Sequence, residues 1–513
     1  MTVVNTEHSS NHPHSAPSLQ GRAGGESESS SLKQRTAKGL IWGGLSGGVV
    51  QLLNALFGLV LLNRLSQEDY GMLAVLYVFS NVAGCIQESG FTAALANKKE
   101  ASHEDYNAVF WFDVIVGSVL YVILFLTAPA IARFYHEPAL TVLARFFFLN
   151  FWIVSIGAAH YAYMFSHMMV RQNSIINMVA LLVSGIIGIT LAFCGLEYWA
   201  LAVQNIAYVT IMMIMRWCYS PWRPTLHIDL RPAWQMWGFS WKLLVQNLFL
   251  QLNNNVFGVL LGRFYTTRVA GIFSNARKWD DMAISTIGSM VMGVAQPTLT
   301  QADNGDMGRL REVFRKMLRF ICFVSFPCLL GLSLISEDFI ACLIPKWQES
   351  APLLSTLCIY GAFAPVVTLY SNLVISRGRS MVNLVNSVVI CVLIWAGLIA
   401  MRSYGVLFMT WFYVGVNTLW VLVWQYWARR LIGLRFRDAA RDILPFFLFA
   451  AGVMILSWWL TSAMSAGWLR MGVKILLAVA FYLGLLWAFD AKILKESVAY
   501  IIHKKKGKEV SVC

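Results

Sequence analysis

The amino-acid sequence predicts an all-α polytopic membrane protein of about 14 transmembrane helices, arranged as two six-helix lobes plus two C-terminal helices. Hydrophobic residues make up 58% of the 513 positions and charged residues only 13%, which is about half the charge of a soluble domain. Apolar runs long enough to cross a bilayer recur along the chain, and basic residues alternate between the breaks that separate them. Fourteen spans would leave little chain for a soluble catalytic domain.

Runs of about 20 apolar residues define the predicted helices. Two segments, around 88–94 and 275–285, are too polar to face lipid along their whole length. We place the spans at about 39–63, 71–94, 108–131, 139–163, 174–194, 197–216, 238–262, 269–292, 318–342, 352–374, 380–401, 405–427, 442–463 and 471–489.

The basic residues in the breaks predict the orientation of the chain. With the N-terminus in the cytoplasm, 28 of the 40 Lys and Arg residues fall on the cytoplasmic side, 7 on the opposite side and 5 within spans. This bias follows the positive-inside rule, and adding or removing one span midway would scramble it. The rule also explains the net charge of +14 without a nucleic-acid partner. We therefore expect a multi-pass protein of the bacterial inner (cytoplasmic) membrane, with both termini cytoplasmic.

Prolines and charge divide the chain into units. The longest internal break holds Pro221, Pro224 and Pro232 and predicts a cytoplasmic linker between two lobes. A 6 + 6 arrangement suggests lobes related by a parallel repeat, which is a transporter architecture. The predicted units are a disordered tail (1–36), an N-terminal six-helix lobe (37–216), the linker (217–237), a C-terminal six-helix lobe (238–428), two extra helices (429–490) and a basic tail (491–513).

The sequence contains no indication of an enzyme. It has no GxxxxGK[ST] or HExxH motif and no zinc-type Cys/His spacing, and the GLSGG at 44–48, which matches GxSxG, lies inside the first predicted span. No catalytic residue, cofactor or metal is therefore predicted. The predicted external loops are about ten residues or shorter, whereas a membrane polymerase or ligase usually needs a larger loop near its active site.

Polar residues inside the predicted membrane spans are the best candidates for a functional site. In the seventh span, Lys242, Gln246 and Asn253 fall within about 40° of one another on a helical wheel, and Asn247 and Asn254 lie on a neighbouring strip. Such a helix cannot face lipid, so we expect it to line a cavity or a polar interface.

Cations and carboxylates in other spans extend this candidate site. We assign Arg277 and Arg145 to the substrate cavity, and the carboxylates to ion coupling: Glu88, Asp113, Asp280 and Asp281. One structural alternative is a compensated interfacial salt-bridge set of Arg277, Lys278, Asp280 and Asp281. For Glu88 and Asp113 the alternative is that they pair with Arg145 or cap a helix break. A cavity lined by amides and cations suits an anionic substrate rich in hydroxyls, whereas an exporter of cationic drugs is expected to have an acidic, aromatic cavity.

The loops resemble those of a known family. Residues 65–71 (LSQEDYG) resemble its "LSxxxYG", 128–138 (APAIARFYHEP) its "APxIAxFYxEP", 270–276 (AGIFSNA) its "LGxYxRA", 346–354 its "W…aPlL" and 377–379 its "GR" turn. The family is the polysaccharide transporters, Wzx-type flippases for lipid-linked oligosaccharides within the multidrug/oligosaccharidyl-lipid/polysaccharide exporter superfamily. The resemblance covers about 39–430, and the colanic-acid exporter branch is the nearest.

The resemblance implies translocation of undecaprenyl-pyrophosphate-linked repeat units from the cytoplasmic to the periplasmic leaflet by ion-coupled alternating access. Such transport serves the synthesis of capsule, exopolysaccharide or O-antigen, with membrane lipid, a polymerase and export machinery as further partners. The cations Lys242, Arg277 and Arg145 would attract pyrophosphate or acidic sugars, and the amides would bind glycan hydroxyls. The sequence departs from the family pattern at Phe273 and Asn275, where Tyr and Arg are usual.

Two other functions remain open from the sequence. One is a proton- or sodium-coupled exporter of drugs or metabolites with the same fold. The other is a membrane glycosyl polymerase or ligase, which the short external loops disfavour.

Overall fold

The computed structural model describes residues 47–88, 95, 101–231, 244–245, 247–302 and 307–488, and the side chains of all of these except 88, 289–302, 380 and 486–488. All regular secondary structure in the described part is helical, and the described part contains no β-strand. Both predicted tails and most of the second half of the predicted linker lie outside these ranges.

The N-terminal half contains seven described helices. The longest begins at Ser102, whose side chain and Asp105 form a capping box, and it ends where His136 adopts the left-handed conformation, so both ends are satisfied locally. The helices are α1 (Gly47–Arg64), α2 (Gln67–Glu88), α3 (His103–Tyr135), α4 (Leu140–Phe147), α5 (Leu149–Ser166), α6 (Val170–Phe193) and α7 (Tyr198–Tyr219).

The C-terminal half contains nine described helices and a 3₁₀ turn at Pro345–Ser350. Residues 247–254 are also helical, and Asn255 separates them from the first helix of this set. The helices are α8 (Val256–Phe264), α9 (Thr267–Ala302), α10 (Met307–Leu343), α11 (Ala351–Gly361), α12 (Ala364–Ser376), α13 (Ser380–Ala400), α14 (Val406–Ile432), α15 (Phe436–Leu460) and α16 (Trp468–Ala488).

Twelve described helical segments are long and apolar enough to cross a membrane, and they coincide with twelve of the fourteen predicted spans. The prediction of an all-helical, multi-pass protein is confirmed. The seventh predicted span corresponds to residues 247–254 together with α8, and the eighth predicted span corresponds to α9. These helices carry more polar residues and are not among the twelve, so the count of fourteen stays a prediction.

Helix breaks interrupt two further predicted spans besides the seventh, which is broken at Asn255. The fourth span consists of α4 and α5, which meet at Phe148. The tenth consists of α11 and α12, which are separated at 362–363 just before Pro365. At this second break the Ala362 carbonyl accepts a hydrogen bond from Ser325 Oγ at 2.7 Å. A neighbouring helix thus satisfies a polar backbone group that lipid could not.

Buried side chains form separate apolar clusters in the two halves. One contains Leu76, Phe147 and Phe151 of the N-terminal half, and the largest contains Phe314 and Tyr370 of the C-terminal half. The helix α1 lies between them, because Leu61 belongs to the first cluster and Leu62 to the second. This division agrees with two lobes, while the domain boundaries stay a prediction.

Contacts between the halves repeat with an offset of 200 residues. Gly71 lies against the backbone of Thr267, and Gly271 lies against the backbone of Gln67. The same reciprocity joins Gly58 to Lys278 and Gly258 to Val78. When one surface meets an equivalent surface across a two-fold axis, each contact occurs twice in this way. An approximate two-fold axis therefore passes between α2 and α9.

Candidate substrate and ion-coupling site

The helix α9 carries four charged residues near the middle of the eighth predicted span, 269–292. They are Arg277, Lys278, Asp280 and Asp281. Ten residues separate Thr267 from Arg277, so at 1.5 Å per residue these charges lie about 15 Å from the start of the helix. That depth is about half of a 30 Å hydrocarbon core, where ionisable residues are expensive and mark functional sites by default.

Arg277 is held from two sides. Its Nε lies 3.0 Å from Oδ1 of Asp281, one turn along the helix. Its Nη1 donates a hydrogen bond of 3.3 Å to the Tyr413 hydroxyl on α14, and the guanidinium lies 5.8 Å from the centre of that ring. The alternative of a compensated salt bridge is therefore correct for Arg277 and Asp281.

Lys278 differs from its neighbour because no carboxylate of the described residues forms an ion pair with it. Its amine lies against α1 at Gly58, where a Cβ atom would overlap Nζ. The missing side chain at Gly58 thus provides the space that the amine occupies. The sequence interpretation grouped Lys278 with a compensated set and did not assign it to the cavity, so this residue was missed.

Asp280 is a carboxylate without a polar partner. Its residue is fully buried, and neither oxygen accepts a hydrogen bond from a nitrogen or oxygen donor among the described residues. The Cys358 thiol lies beside it, and Gly361, at the break between α11 and α12, lies against Oδ1. A buried carboxylate next to a discontinuous helix is a typical arrangement of ion sites in transporters.

The polar strip of the seventh predicted span is only partly described. Asn247 and Asn254 are exposed, and Asn253 has a buried Oδ1 for which the described residues supply no donor. Asn255, which the sequence interpretation did not assign, accepts a 2.9 Å hydrogen bond from Asn81 of α2. Lys242 and Gln246 lie outside the described residues.

The remaining candidates lie in the N-terminal half. Asp113 is buried, and its Oδ1 has no hydrogen-bond partner among the described residues. The predicted alternative of pairing with Arg145 is not found, because the Arg145 guanidinium lies over the Phe125 ring at 4.5 Å. Glu88 ends α2, and its side chain is outside the description. No described contact joins Asp113 or Arg145 to the charges of α9.

The approximate two-fold axis allows the charged positions of α9 to be compared with the equivalent positions of α2. At an offset of 200 residues, the positions of Arg277, Lys278, Asp280 and Asp281 correspond to Tyr77, Val78, Ser80 and Asn81. Both sets occupy the same place in the repeat, and Val78 and Lys278 even make reciprocal contacts to glycines. Because the N-terminal copy packs without any charge here, packing alone does not account for the charges of α9, which makes them candidates for a functional site.

An internal repeat in the sequence carries a signal of this relation. Residues 51–58 read QLLNALFG and residues 251–258 read QLNNNVFG. Five of the eight positions are identical at a spacing of 200. A search for self-similarity at a fixed period identifies the repeat and aligns α2 with α9 from the amino-acid sequence alone.

Comparisons with known proteins agree with this architecture. A family model described as "Polysaccharide biosynthesis protein" matches residues 61–352, which is more than half of the chain. The teichuronic acid biosynthesis protein TuaB of Bacillus subtilis (strain 168) is 23% identical over 432 residues, covering 83% of this chain and 89% of TuaB. The lipopolysaccharide biosynthesis protein WzxC of Escherichia coli (strain K12) is 24% identical over 356 residues, covering 68% and 71%.

A solved structure supports the fold independently. The lipid II flippase MurJ in an inward closed conformation superposes with a TM-score of 0.74 at 12% identity, covering 88% of this chain and 100% of the MurJ chain. At this identity the likeness concerns the fold alone. The resemblance seen in the loops is confirmed by the family match, and the chain belongs to the polysaccharide biosynthesis protein family.

Proposed function

We propose that this protein is a flippase that moves lipid-linked oligosaccharide repeat units from the cytoplasmic to the periplasmic leaflet, for the synthesis of a surface polysaccharide. The observation that carries the proposal is Lys278, a cation without an ion-pair partner among the described residues, at mid-membrane depth on the seam between the two halves. Family membership and the similarity to the lipopolysaccharide biosynthesis protein WzxC and the lipid II flippase MurJ support the same conclusion. The bacterial inner membrane, with both termini cytoplasmic, is the proposed location.

The cations of α9 suit the pyrophosphate of such a substrate. Arg277 has five N–H donors, of which two are used on Asp281 and Tyr413, and the Lys278 ammonium has three. Charge-assisted hydrogen bonds to phosphate are about twice as strong as neutral ones. Arg277 and Lys278 would bind the pyrophosphate, and the amides of Asn253 and Asn254 would bind glycan hydroxyls. We also propose Lys242, Gln246 and Asn247 as residues of this cavity. Arg145 is proposed as well, although no described contact joins it to the charges of α9.

Asp280 and Asp113 are the proposed ion-coupling residues. A carboxylate buried in the membrane without a counter-ion is costly, and binding of a proton or a monovalent cation removes that cost. A phosphate that binds Arg277 would compete with Asp281 for the guanidinium, so substrate binding would leave Asp281 without its partner. Ion occupancy and substrate occupancy would then be linked through α9, with Glu88 as a further candidate.

The test is to delete the gene and determine the leaflet in which lipid-linked sugars accumulate. The proposal expects accumulation in the cytoplasmic leaflet together with loss of surface polysaccharide, and rescue by the parent gene. Normal surface polysaccharide with increased sensitivity to toxic cations would overturn it in favour of a multidrug exporter. Accumulation of single repeat units in the periplasmic leaflet would overturn it in favour of a polymerase or ligase.

A further inference from the structure

The helices α2 and α9 cross at two glycines with no side chain between their backbones. A Cβ atom on Gly71 would overlap the carbonyl oxygen of Thr267, and one on Gly271 would overlap the carbonyl oxygen of Gln67. In both cases the obstructing atom belongs to the backbone, so no side chain can rotate away to make room. Each half contributes one glycine and one carbonyl, as the approximate two-fold axis requires.

Hydrogen bonds between the halves surround this crossing. Trp347 Nε1 donates to the Leu62 carbonyl at 2.7 Å, and Gln67 Nε2 donates to the Lys346 carbonyl at 2.8 Å. Lys346 Nζ in turn donates to the Asn63 carbonyl at 3.0 Å. All of these residues lie at the ends of helices that the charge pattern assigns to the periplasmic side.

The opposite lobe makes the corresponding contacts. Arg263 Nη1 donates to the Phe134 carbonyl at 2.7 Å, and Thr267 Oγ1 donates to Glu137 at 3.4 Å. The segment after α3 thus contacts the end of α8, just as the segment after α10 contacts the end of α1. The crossing and its two flanks form one continuous contact at this end of the molecule.

We propose that the crossing of Gly71 and Gly271 is the outer seal of the translocation path. The inference rests on the proposed function only in assuming that the path opens alternately to the two sides of the membrane. Opening between the halves toward the periplasm requires α2 and α9 to separate at these glycines. The seal closes fully because both positions lack a side chain, so any Cβ atom there holds the helices apart and favours the outward-open state.

Each of the two helices offers a matched control. Gly84 lies on α2 and Gly288 on α9, and an added Cβ atom would meet nothing within 4 Å at either position. Ala is favoured over Gly in a helix interior by about 1 kcal/mol, so the substitution itself does not disturb the helix. Gly71→Ala and Gly271→Ala therefore disturb the contact between the two helix backbones. Gly84→Ala and Gly288→Ala make the same chemical change but disturb no contact among the described residues.

The experiment measures the distance between spin labels on the outer ends of the two halves. Labels at Ala139→Cys and Ser403→Cys occupy exposed sites. They are introduced into a full-length chain in which the exposed cysteines of the described residues, Cys194, Cys218 and Cys328, and Cys513 are replaced by Ser. We expect Gly71→Ala and Gly271→Ala to raise the ratio of long to short distances by about tenfold or more, and both controls to keep the parental distribution. An unchanged distribution in the two seal variants would overturn the proposal.

A second measurement does not depend on the glycine variants folding. Cysteines at Asn63 and Lys346 are joined by a cleavable bifunctional thiol reagent, which fixes the seal in the closed state. Transport of the native lipid-linked glycan should stop on cross-linking and recover on reduction, and full transport by the cross-linked protein would overturn the seal. The parent chain, which keeps Asn63 and Lys346, is the reference: if it moves no glycan, the proposed function is refuted, while the spin-label distances still test the seal.

Discussion

At the scale of single residues, the charges of α9 fall into two kinds. Arg277 and Asp281 satisfy each other at 3.0 Å. Among the described residues, Lys278 has no ion-pair partner, and Asp280 has neither an ion-pair partner nor a nitrogen or oxygen donor, with only the Cys358 thiol beside it. Truncating a residue that has a partner leaves that partner uncompensated, which damages folding and function together. Lys278 and Asp280 can be neutralised without this effect, so they give the cleaner tests.

The variant Lys278→Ala should lower export of the lipid-linked glycan by about tenfold to a hundredfold. A charge-assisted hydrogen bond contributes about 1.5–3 kcal/mol, and 1.4 kcal/mol corresponds to a factor of ten. Export is measured as surface polysaccharide in a deletion strain, normalised to the amount of protein in the membrane. Lys316→Ala removes an exposed lysine that pairs with Glu312 at 3.3 Å and should export normally; equal export by both variants would exclude Lys278 from the site.

The variants Asp280→Asn and Asp113→Asn should weaken the dependence of transport on the driving ion. Asn has the shape of Asp but cannot release a proton or carry a charge, so coupling is lost while packing is preserved. The measurement is transport into vesicles as a function of an imposed pH or sodium gradient. Glu312→Gln, at an exposed position, is the control. A gradient dependence that survives in an Asp variant removes that residue from the coupling mechanism.

At the scale of helices, an ion cluster attaches the last helix to the C-terminal lobe. Asp338 of α10 is fully buried and lies 2.7 Å from Lys474 and 2.5 Å from Arg470 of α16. The Lys474 and Arg470 side chains are 3% and 12% exposed, so water cannot replace the carboxylate. The extra helix is therefore held on α10 by charge as well as by its apolar face.

The variant Asp338→Asn should destabilise the protein by about 3–5 kcal/mol, since it leaves the buried Lys474 without an anion and Arg470 with only the exposed Glu337. Glu312→Gln removes an exposed anion of the Lys316 pair and should cost less than about 1 kcal/mol. Thermal unfolding of the purified protein in detergent, followed by retention of monodisperse protein, ranks the two variants. Similar midpoints would show that the cluster does not hold α16 in place.

Most helices were predictable because a helix that crosses the lipid bilayer must be apolar along most of its length. The spans that became α3, α6 and α14 are almost entirely apolar and were assigned close to their observed bounds. The breaks at Asn255 and at 362–363 were not predicted, because a 20-residue average smooths over a local interruption. These breaks lie next to the polar groups of the candidate site, so the prediction of helix bounds was weakest around that site.

The same limit applies to the site. The sequence identified α9 as polar and named Arg277, Asp280 and Asp281 correctly as residues of one helix. It could not separate paired from unpaired charges, because Lys278 is distinguished only by its contact with Gly58 on a helix 220 positions earlier. Nor could it identify Asn255 as the link to Asn81, since neither residue is charged and the contact is distant in sequence.

At the scale of the whole molecule, two similar halves surround an asymmetric charge distribution. The halves meet through reciprocal contacts at the proposed periplasmic end, and the charges on α9 have no counterpart on α2. Under the proposed function, the symmetric frame would permit the halves to move relative to each other, and the charges of one half would select an anionic substrate. This combination of a repeated scaffold and a one-sided site is what distinguishes a transporter from a structural membrane protein.

Reconstitution of the purified protein tests the central claim most directly. Phospholipid vesicles receive lipid-linked oligosaccharides extracted from the deletion strain, and the fraction in the outer leaflet is measured by a membrane-impermeant oxidant of sugars. The parent chain and Lys316→Ala should let the oxidant reach nearly all of the glycan, whereas vesicles without protein should leave about half protected. Lys278→Ala should expose the protected half about tenfold to a hundredfold more slowly than the parent chain. Continued protection of half the glycan in vesicles that contain the parent chain would contradict the account.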